Sequence, residues 1–185
     1  SKAKSARHSV REINPDVTVN VHMERLTASN ALDLINGYDL VADGSDNFET
    51  RFLVNDACYL TGTTLVSAAI LRFDGQLSTY KAHLDEGQGQ HPCYRCLFPE
   101  APPPNTIPSC AQAGVLGALC GVVGSLQATE VLKELTGAGS SMSGFLLIID
   151  GLCTEFRKIK IEPGHSCALC STQSTITDLS RHLYN

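Results

Sequence analysis

The chain lacks tryptophan and has few aromatic residues, only 6% of its 185 positions. Proteins that bind single-stranded nucleic acids stack bases on aromatic side chains, so this composition argues against such a surface. The formal net charge is -5, and the 14 lysines and arginines are scattered instead of forming a basic stripe. Binding to phosphate backbones therefore has little support, and we expect no nucleic-acid partner.

The sequence also lacks the apolar segments typical of secreted and membrane proteins. Residues 1–8 are polar and basic, without the apolar stretch of a secretory signal. Residues 113–135 resemble a membrane span, but Glu130, Lys133 and Glu134 interrupt them. Because this segment is also rich in glycine, we predict a buried helix that lets a neighbouring backbone or a second subunit approach closely. We expect no membrane partner and a location in the reducing cytoplasm.

Two Cys-x-x-Cys pairs are present, Cys93 with Cys96 and Cys167 with Cys170. Each pair places two sulfurs within reach of one metal ion, and together the pairs complete a tetrahedral zinc shell. A closed shell leaves no position for a substrate, so the predicted zinc is structural. A redox dithiol and exclusive disulfide pairing are the alternatives. Three further cysteines have apolar or small neighbours and are predicted to be buried: Cys58, Cys120 and Cys153.

Apolar periodicity predicts alternating helices and strands in a single domain. Helices are predicted at residues 3–13, 28–34, 50–60 and 113–135, and strands at residues 17–23, 38–42, 64–70, 76–82, 145–149 and 155–161. This alternation indicates an α/β fold with a Rossmann-like mixed sheet flanked by helices.

A polar segment directly follows the predicted buried strand at residues 38–42. It reads Asp43-Gly44-Ser45-Asp46-Asn47. Ligands of α/β sheets bind beyond the carboxyl ends of strands, and carboxylates with an amide suit magnesium and phosphate or ribose contacts. A polar turn that caps the next helix is an alternative of equal weight.

Short motifs follow one another along nearly the whole chain. In order they are Lys2-x-x-Ser5-Ala6, Ile13-Asn14-Pro15, Asp43 to Phe48 with Arg51 and Asn55-Asp56, Cys93-Tyr94-Arg95-Cys96, Ser109 to Val115, Gly121 to Ala128, Phe156-Arg157 and Cys167-Ala168-Leu169-Cys170. This series resembles the ThiF/MoeB/HesA adenylyltransferases, the prokaryotic relatives of ubiquitin-activating enzymes.

The resemblance implies an enzyme that uses ATP and magnesium to adenylate the C-terminal glycine of a ubiquitin-like sulfur-carrier protein. Lys2 would contact the ATP phosphates, Asp46 would be the acid essential for adenylation, held near magnesium, and Asn47 would line the nucleotide pocket. Cys110 matches a cysteine that in some members forms a covalent link with the carrier. Molybdopterin and thiamine synthesis both use such enzymes, and the resemblance implies a homodimer.

The chain departs from this family at its start. Neither the Gly-rich phosphate loop nor the ribose-binding acid precedes Lys2, and no Gly-x-Gly-x-x-Gly occurs anywhere. We therefore expect residues 1–170 to be the C-terminal part of an adenylation domain that lacks its phosphate-loop unit, and residues 171–185 to be a short polar tail on the surface. The alternatives are a zinc-stabilised docking module for a ubiquitin-like partner, without catalysis, and a redox protein.

Overall fold

The computed structural model describes residues 1–84, 91–103, 106–107 and 110–183, with only the backbone at 110 and 111. The helices are α1 (Lys2–Ile13), α2 (Ala31–Ile35), α3 (Phe48–Thr61), α4 (Tyr94–Leu97), α5 (Cys110–Ala113) and α6 (Gly117–Thr136). The strands are β1 (Leu40–Asp43), β2 (Thr64–Leu71), β3 (Asp74–Tyr80), β4 (Phe145–Asp150) and β5 (Glu155–Lys160). Short 3-10 turns form at Ala82–Leu84 and Ser180–His182.

The strands form one mixed sheet in the order β1-β2-β3-β4-β5. β1 and β2 are parallel and are connected by α3, with Asp43 at the carboxyl end of β1 opposite Ser67 in the middle of β2. From β2 to β5 each neighbouring pair is antiparallel. The prediction of an α/β fold with a mixed sheet is confirmed.

Helix α6 packs across one face of this sheet. Leu119 and Val123 are buried on its inner side, in a cluster with Leu77 of β3 and Ile149 of β4. The helix lies so close to β3 that a Cβ atom added at Gly75 would be 2.6 Å from Val123 Cγ2. Only glycine therefore fits at this point of the sheet without displacing the helix.

Helix α3 covers the β1 and β2 half of the opposite face. Phe52, Leu53 and Ala57 are buried there against Leu65 and Tyr80. Since α3 stops short of β3 and β4, the rest of this face is left open to the cavity described below.

Both ends of α3 are set by local chemistry. Asn47 caps the amino end, where its Oδ1 accepts a hydrogen bond from Thr50 N at 2.8 Å. Gly62 ends the helix in the left-handed conformation, with φ of 70°, which favours glycine. Helix α3 therefore begins two residues before the predicted range of 50–60 and ends one residue after it. The start was predicted too late because the apolar periodicity begins only inside the first turn.

Residues 17–23 do not form the predicted strand. They are irregular, and no described strand pairs with β1 on the side away from β2. Alternating β-branched residues give a strand only where a neighbouring backbone supplies hydrogen bonds, so the prediction was wrong for this segment. The helix predicted at 28–34 begins later, at Ala31, because Thr27 N first donates to Asn30 Oδ1 at 2.8 Å.

Helix α6 is buried on one side only, whereas a buried helix was predicted. Cys120, Gly121 and Gly124 face outwards, with nothing within 4 Å of a Cβ atom at either glycine. Leu132 is 62% exposed. Glu130 is a charged residue of α6 that is buried. Its carboxylate accepts hydrogen bonds from Thr79 Oγ1 and Met142 N and forms an ion pair with Lys133, one helical turn later. Within the described chain no helix is long and apolar enough to cross a membrane.

Two cysteine predictions and one prediction for the tail also need correction. Cys58 is buried as predicted, but Cys153, in the turn between β4 and β5, is exposed like Cys120 on α6. Residues 171–183 are not merely a polar surface segment, because Ile176 and Leu179 are buried at 3% and 5% exposure. Each of these two side chains joins a cluster of the main domain, so the tail packs as part of it.

Candidate functional site

The loop after β1 separates its two acids. Asp43 is buried, and both of its carboxylate oxygens have partners: Oδ1 accepts from Ser45 N at 2.8 Å and Oδ2 accepts from Ser67 Oγ at 3.3 Å. Asp46 is exposed and lines the adjacent cavity. Asp43 therefore shapes the loop, and Asp46 is the acid with a carboxylate open to a ligand.

Asn47 stands between the loop and the helix. Its Oδ1 caps α3, while its Nδ2 donates to Asp46 Oδ1 at 3.3 Å. The same side chain thus fixes the start of the helix and orients the exposed carboxylate. Of the two alternatives weighed for this segment, the helix cap is therefore present, and Asp46 beside it still faces the cavity.

Two long side chains hold the loop in place from opposite faces of the sheet. Arg51 of α3 donates from Nη1 to Ala68 O at 3.2 Å and from Nη2 to Ser45 O. Gln127 of α6 donates from Nε2 to Asp43 O at 2.8 Å and to Val66 O at 3.0 Å. The sequence motifs contained both residues, but no role followed from them, because their acceptors are backbone carbonyls far away in the chain.

A cavity of about 650 Å³ opens beside this loop, on the sheet face that α3 leaves uncovered. This volume is within the usual range of small-ligand sites. The polar loop and Arg51 form one end, and the side chains of β2, β3 and β4 form a mainly apolar floor. The lining residues are Asp46, Asn47, Phe48, Arg51, Ser67, Ala69, Ile70, Leu71, Asp74, Gly75, Gln76, Leu77, Ser78, Tyr80, Tyr94, Phe98, Ile107, Gln112, Leu146 and Ile148.

The aromatic wall of the cavity belongs to a packed cluster. The ring of Tyr94 lies 5.2 Å from Phe52, 5.8 Å from Tyr80 and 4.9 Å from Phe98, measured between centroids. Burial raises the pKa of the Tyr94 hydroxyl to about 12. The phenol is therefore neutral at physiological pH, and the wall contributes no negative charge.

Two of the predicted site residues are not brought to this cavity by any contact described. Lys2 is exposed at the start of α1, a helix that buries none of its residues. No hydrogen bond or ion pair among the described residues joins Lys2 to the loop at 43–47. Cys110 begins α5, but its side chain lies outside what the structure describes.

The four paired cysteines meet at one point, as the spacing predicted. Their sulfurs all lie within 4.8 Å of one another, with Cys93 Sγ 3.5 Å from Cys167 Sγ and Cys96 Sγ 3.4 Å from Cys170 Sγ. A tetrahedral zinc with Zn–S bonds of about 2.3 Å requires sulfurs roughly 3.8 Å apart. The donor set and its spacing thus fit a four-thiolate zinc ion.

A buried ionic network ties this cluster to α3 and to the tail. Asp56, at 0% exposure, accepts from Arg95 Nε at 2.7 Å, from Arg95 Nη2 at 2.6 Å and from His182 Nε2 at 2.8 Å. Asn55 Nδ2 donates to the same carboxylate at 3.0 Å, and Asn55 Oδ1 accepts from Tyr94 N at 2.8 Å. Burial alone would raise the pKa of Asp56, but the hydrogen bonds from His182 and Arg95 and the arginine charge hold it below its usual value.

Comparison with known proteins identifies the family of this chain. The ThiF family model matches residues 1–170. Mouse "Adenylyltransferase and sulfurtransferase MOCS3" is 50% identical over 97% of the chain, and "Sulfur carrier protein adenylyltransferase" of Thermus thermophilus is 47% identical over 96%. The chain spans 38% and 65% of the lengths of these two relatives.

The solved structures similar to this fold include Escherichia coli MccB. The TM-score is 0.75 over 94% of this chain and 50% of MccB, at 14% sequence identity. MccB determined with ATP gives a TM-score of 0.73. At this low identity the likeness establishes a shared fold.

Proposed function

Because this chain belongs to the ThiF family, we propose that the full-length protein uses ATP to adenylate the C-terminal glycine of a ubiquitin-like sulfur-carrier protein. The observation that carries the proposal is the loop at the carboxyl end of β1. There Asp46 and Asn47 face a 650 Å³ cavity at the end of a parallel strand pair, where α/β sheets bind ligands. The names of the two relatives support adenylation of a sulfur carrier. The pathway proposed for this carrier is of the molybdopterin or thiamine type.

In the proposed reaction a carboxylate oxygen of the carrier attacks the α-phosphorus of ATP. A new C–O–P bond forms, the bond to the β-phosphate oxygen breaks, and pyrophosphate leaves. Magnesium would offset the negative charge that develops on the phosphates, and Asp46 would hold it. Asn47 would keep the Asp46 carboxylate oriented and line the nucleotide site, and Lys2 would contact the phosphates.

The four-cysteine cluster is proposed to hold a structural zinc. All four ligand positions are filled by Cys93, Cys96, Cys167 and Cys170, so no position is open for substrate. The metal would join the segment after β3 to the segment after β5, which are far apart in sequence. Exclusive disulfide pairing or redox cycling would instead give thiol counts that change with oxidation.

Two further parts of the proposal concern Cys110 and the outer face of α6. Cys110 is proposed to form the covalent link with the carrier after adenylation.

The outer face of α6 carries Val122 at 43% exposure, Leu132 at 62% and Leu135 at 55%, beside two glycines. Such a face of small and apolar residues suits the interface of a homodimer.

Pyrophosphate exchange with candidate carriers tests the proposed function. We expect carrier-dependent exchange that Asp46→Ala lowers by about a hundredfold to a thousandfold, the usual cost of losing one contact to a transition state. Asp39→Ala is the matched control, since Asp39 is exposed at the opposite end of β1. Cys110→Ala should leave exchange intact and abolish a covalent adduct.

The same experiment separates adenylation from its alternative. Carrier binding without exchange by the wild-type protein would mean a docking module. Near-normal exchange by a folded Asp46→Ala variant would mean that the loop at 43–47 is only a helix-capping turn.

A further inference from the structure

We propose that Arg51 recognises the free carboxylate at the end of the carrier protein. Arg51 lines the cavity beside Asp46, and its guanidinium is anchored to two backbone carbonyls without a carboxylate partner among the described residues. This inference rests on the proposed function, since it assigns the position of the substrate group that is to be adenylated.

Among the described residues, the charge of Arg51 has no carboxylate partner. A guanidinium carries five N–H donors, and the described contacts of Arg51 use two of them on the neutral oxygens of Ala68 and Ser45. The ion pairs of the described residues do not include it. A partly buried cation is stabilised by an anion, so the cavity favours an anionic group at this end.

A second arginine in the same region shows what a purely structural role looks like. Arg95 directs Nε and Nη2 at both oxygens of Asp56, at 2.7 and 2.6 Å, and its charge is neutralised inside the fold. Arg51 is instead oriented by two backbone carbonyl groups, those of Ala68 and Ser45. The fold therefore positions the guanidinium of Arg51, and no carboxylate of the described residues pairs with it.

The floor of the cavity beyond Arg51 is mainly apolar, with side chains such as Ala69, Leu146 and Ile148, and the aromatic wall is neutral. A peptide that enters along this floor finds its only described cationic lining group at the end next to Asp46. The terminal carboxylate is a negative charge that every peptide ending in glycine carries at its last residue, so it would stop there.

The charge change in the reaction predicts which kinetic constant Arg51 controls. The carboxylate loses its negative charge when it becomes an acyl-adenylate, so a cation that binds it stabilises the ground state at least as well as the product. Loss of Arg51 should therefore raise KM for the carrier more than it lowers kcat. A role confined to supporting the loop would lower kcat and weaken ATP binding as well.

Binding of synthetic peptides tests the inference directly. The probes are a short peptide that ends in Gly-Gly with a free carboxylate and the same peptide with a C-terminal amide, titrated into full-length protein by calorimetry. We expect the wild-type protein to prefer the carboxylate by about 10- to 100-fold, as a charged hydrogen-bonded pair implies. Arg51→Gln should abolish the preference, and Arg51→Lys should retain part of it.

Arg25→Gln is the matched control, because Arg25 is an exposed arginine paired with Glu49, and it should keep the full preference. Equal binding of both peptides by the wild-type protein would overturn the inference, as would an unchanged preference in Arg51→Gln. Equal weakening of ATP and peptide in a folded Arg51→Lys variant would also overturn it. If Arg51→Gln does not fold, the preference for the carboxylate peptide over the amide peptide is measured in Arg51→Lys. An unchanged preference in that variant would overturn the inference.

The outcomes also distinguish this inference from the proposed function. A carboxylate preference that depends on Arg51, in a protein without exchange activity towards any carrier, would refute adenylation and retain the carboxylate site. Exchange with an unchanged KM for the carrier in Arg51→Gln would refute the role of Arg51 and retain adenylation.

Discussion

Replacing Asp56 by asparagine should destabilise the protein more than any change at its surface. The Asp56 carboxylate is fully buried and receives four hydrogen bonds, two of them from Arg95, whose side chain is 8% exposed. Asparagine keeps the volume but removes the charge, and it leaves the buried guanidinium without an anion. Breaking a buried ion pair on one side costs about 3–5 kcal/mol.

This loss can be measured by urea unfolding at pH 7 with a fixed excess of zinc, so that metal binding contributes equally to each variant. Because a loss of this size could unfold a marginally stable domain, His182→Ala provides a milder variant. This variant removes one hydrogen bond to a charged group, so the free energy of unfolding should fall by about 1.5–3 kcal/mol. Lys160→Ala, in a pair that is 69% and 70% exposed, should change stability by less than about 0.5 kcal/mol.

The pH dependence gives an independent check of the same network. The pKa of Asp56 is lowered in the folded protein, so its ionised form stabilises the fold above the unfolded value, about 3.9. That contribution is lost as the pH falls through the folded pKa. The difference in the free energy of unfolding between wild-type and Asp56→Asn should therefore be fully present at pH 7 and should shrink below about pH 4. A loss under about 1 kcal/mol at pH 7 would refute the role given to this ion pair.

Three further predictions concern the metal, the loop and the assembly. The protein should bind about one zinc per chain, and Cys167→Ser should lower both the zinc content and the melting temperature; zinc-free protein of unchanged stability would contradict this. Gln127→Leu should lower the free energy of unfolding in urea by about 1–3 kcal/mol and reduce pyrophosphate exchange, because the carbonyls of Asp43, at the end of β1, and of Val66, in β2, lose their donor. Thr129→Val at the exposed side of α6 should do neither. In sedimentation of the full-length protein at micromolar concentration we expect a dimer that Leu132→Glu converts to monomers; a wild-type monomer would count against the α6 interface.

Local patterns in the sequence were sufficient wherever the physical cause is local. The Cys-x-x-Cys spacing predicted the four-sulfur cluster because two residues between cysteines already direct both sulfurs to one point. The apolar run before Asp43 predicted the existence of β1, and the polar segment after it predicted a turn that caps the next helix. The run was also predicted to be a buried strand, which was wrong, because Leu40 and Val41 are only half-buried and Ala42 is exposed. The mixed α/β sheet followed from the same alternation.

The tertiary structure alone decided which polar groups compensate one another. Asp43 and Asp46 are three positions apart and chemically alike, yet one is enclosed by Ser45 and Ser67 and the other faces the cavity. Asp56 meets His182 across 126 positions of the chain, a pairing that no periodicity encodes. Residues 17–23 have the pattern of a strand but remain irregular, since a strand requires hydrogen bonds from a neighbouring backbone. Turn chemistry and the spacing of metal ligands are properties of neighbouring residues, whereas burial, charge compensation and strand pairing depend on segments that only the folded chain brings together.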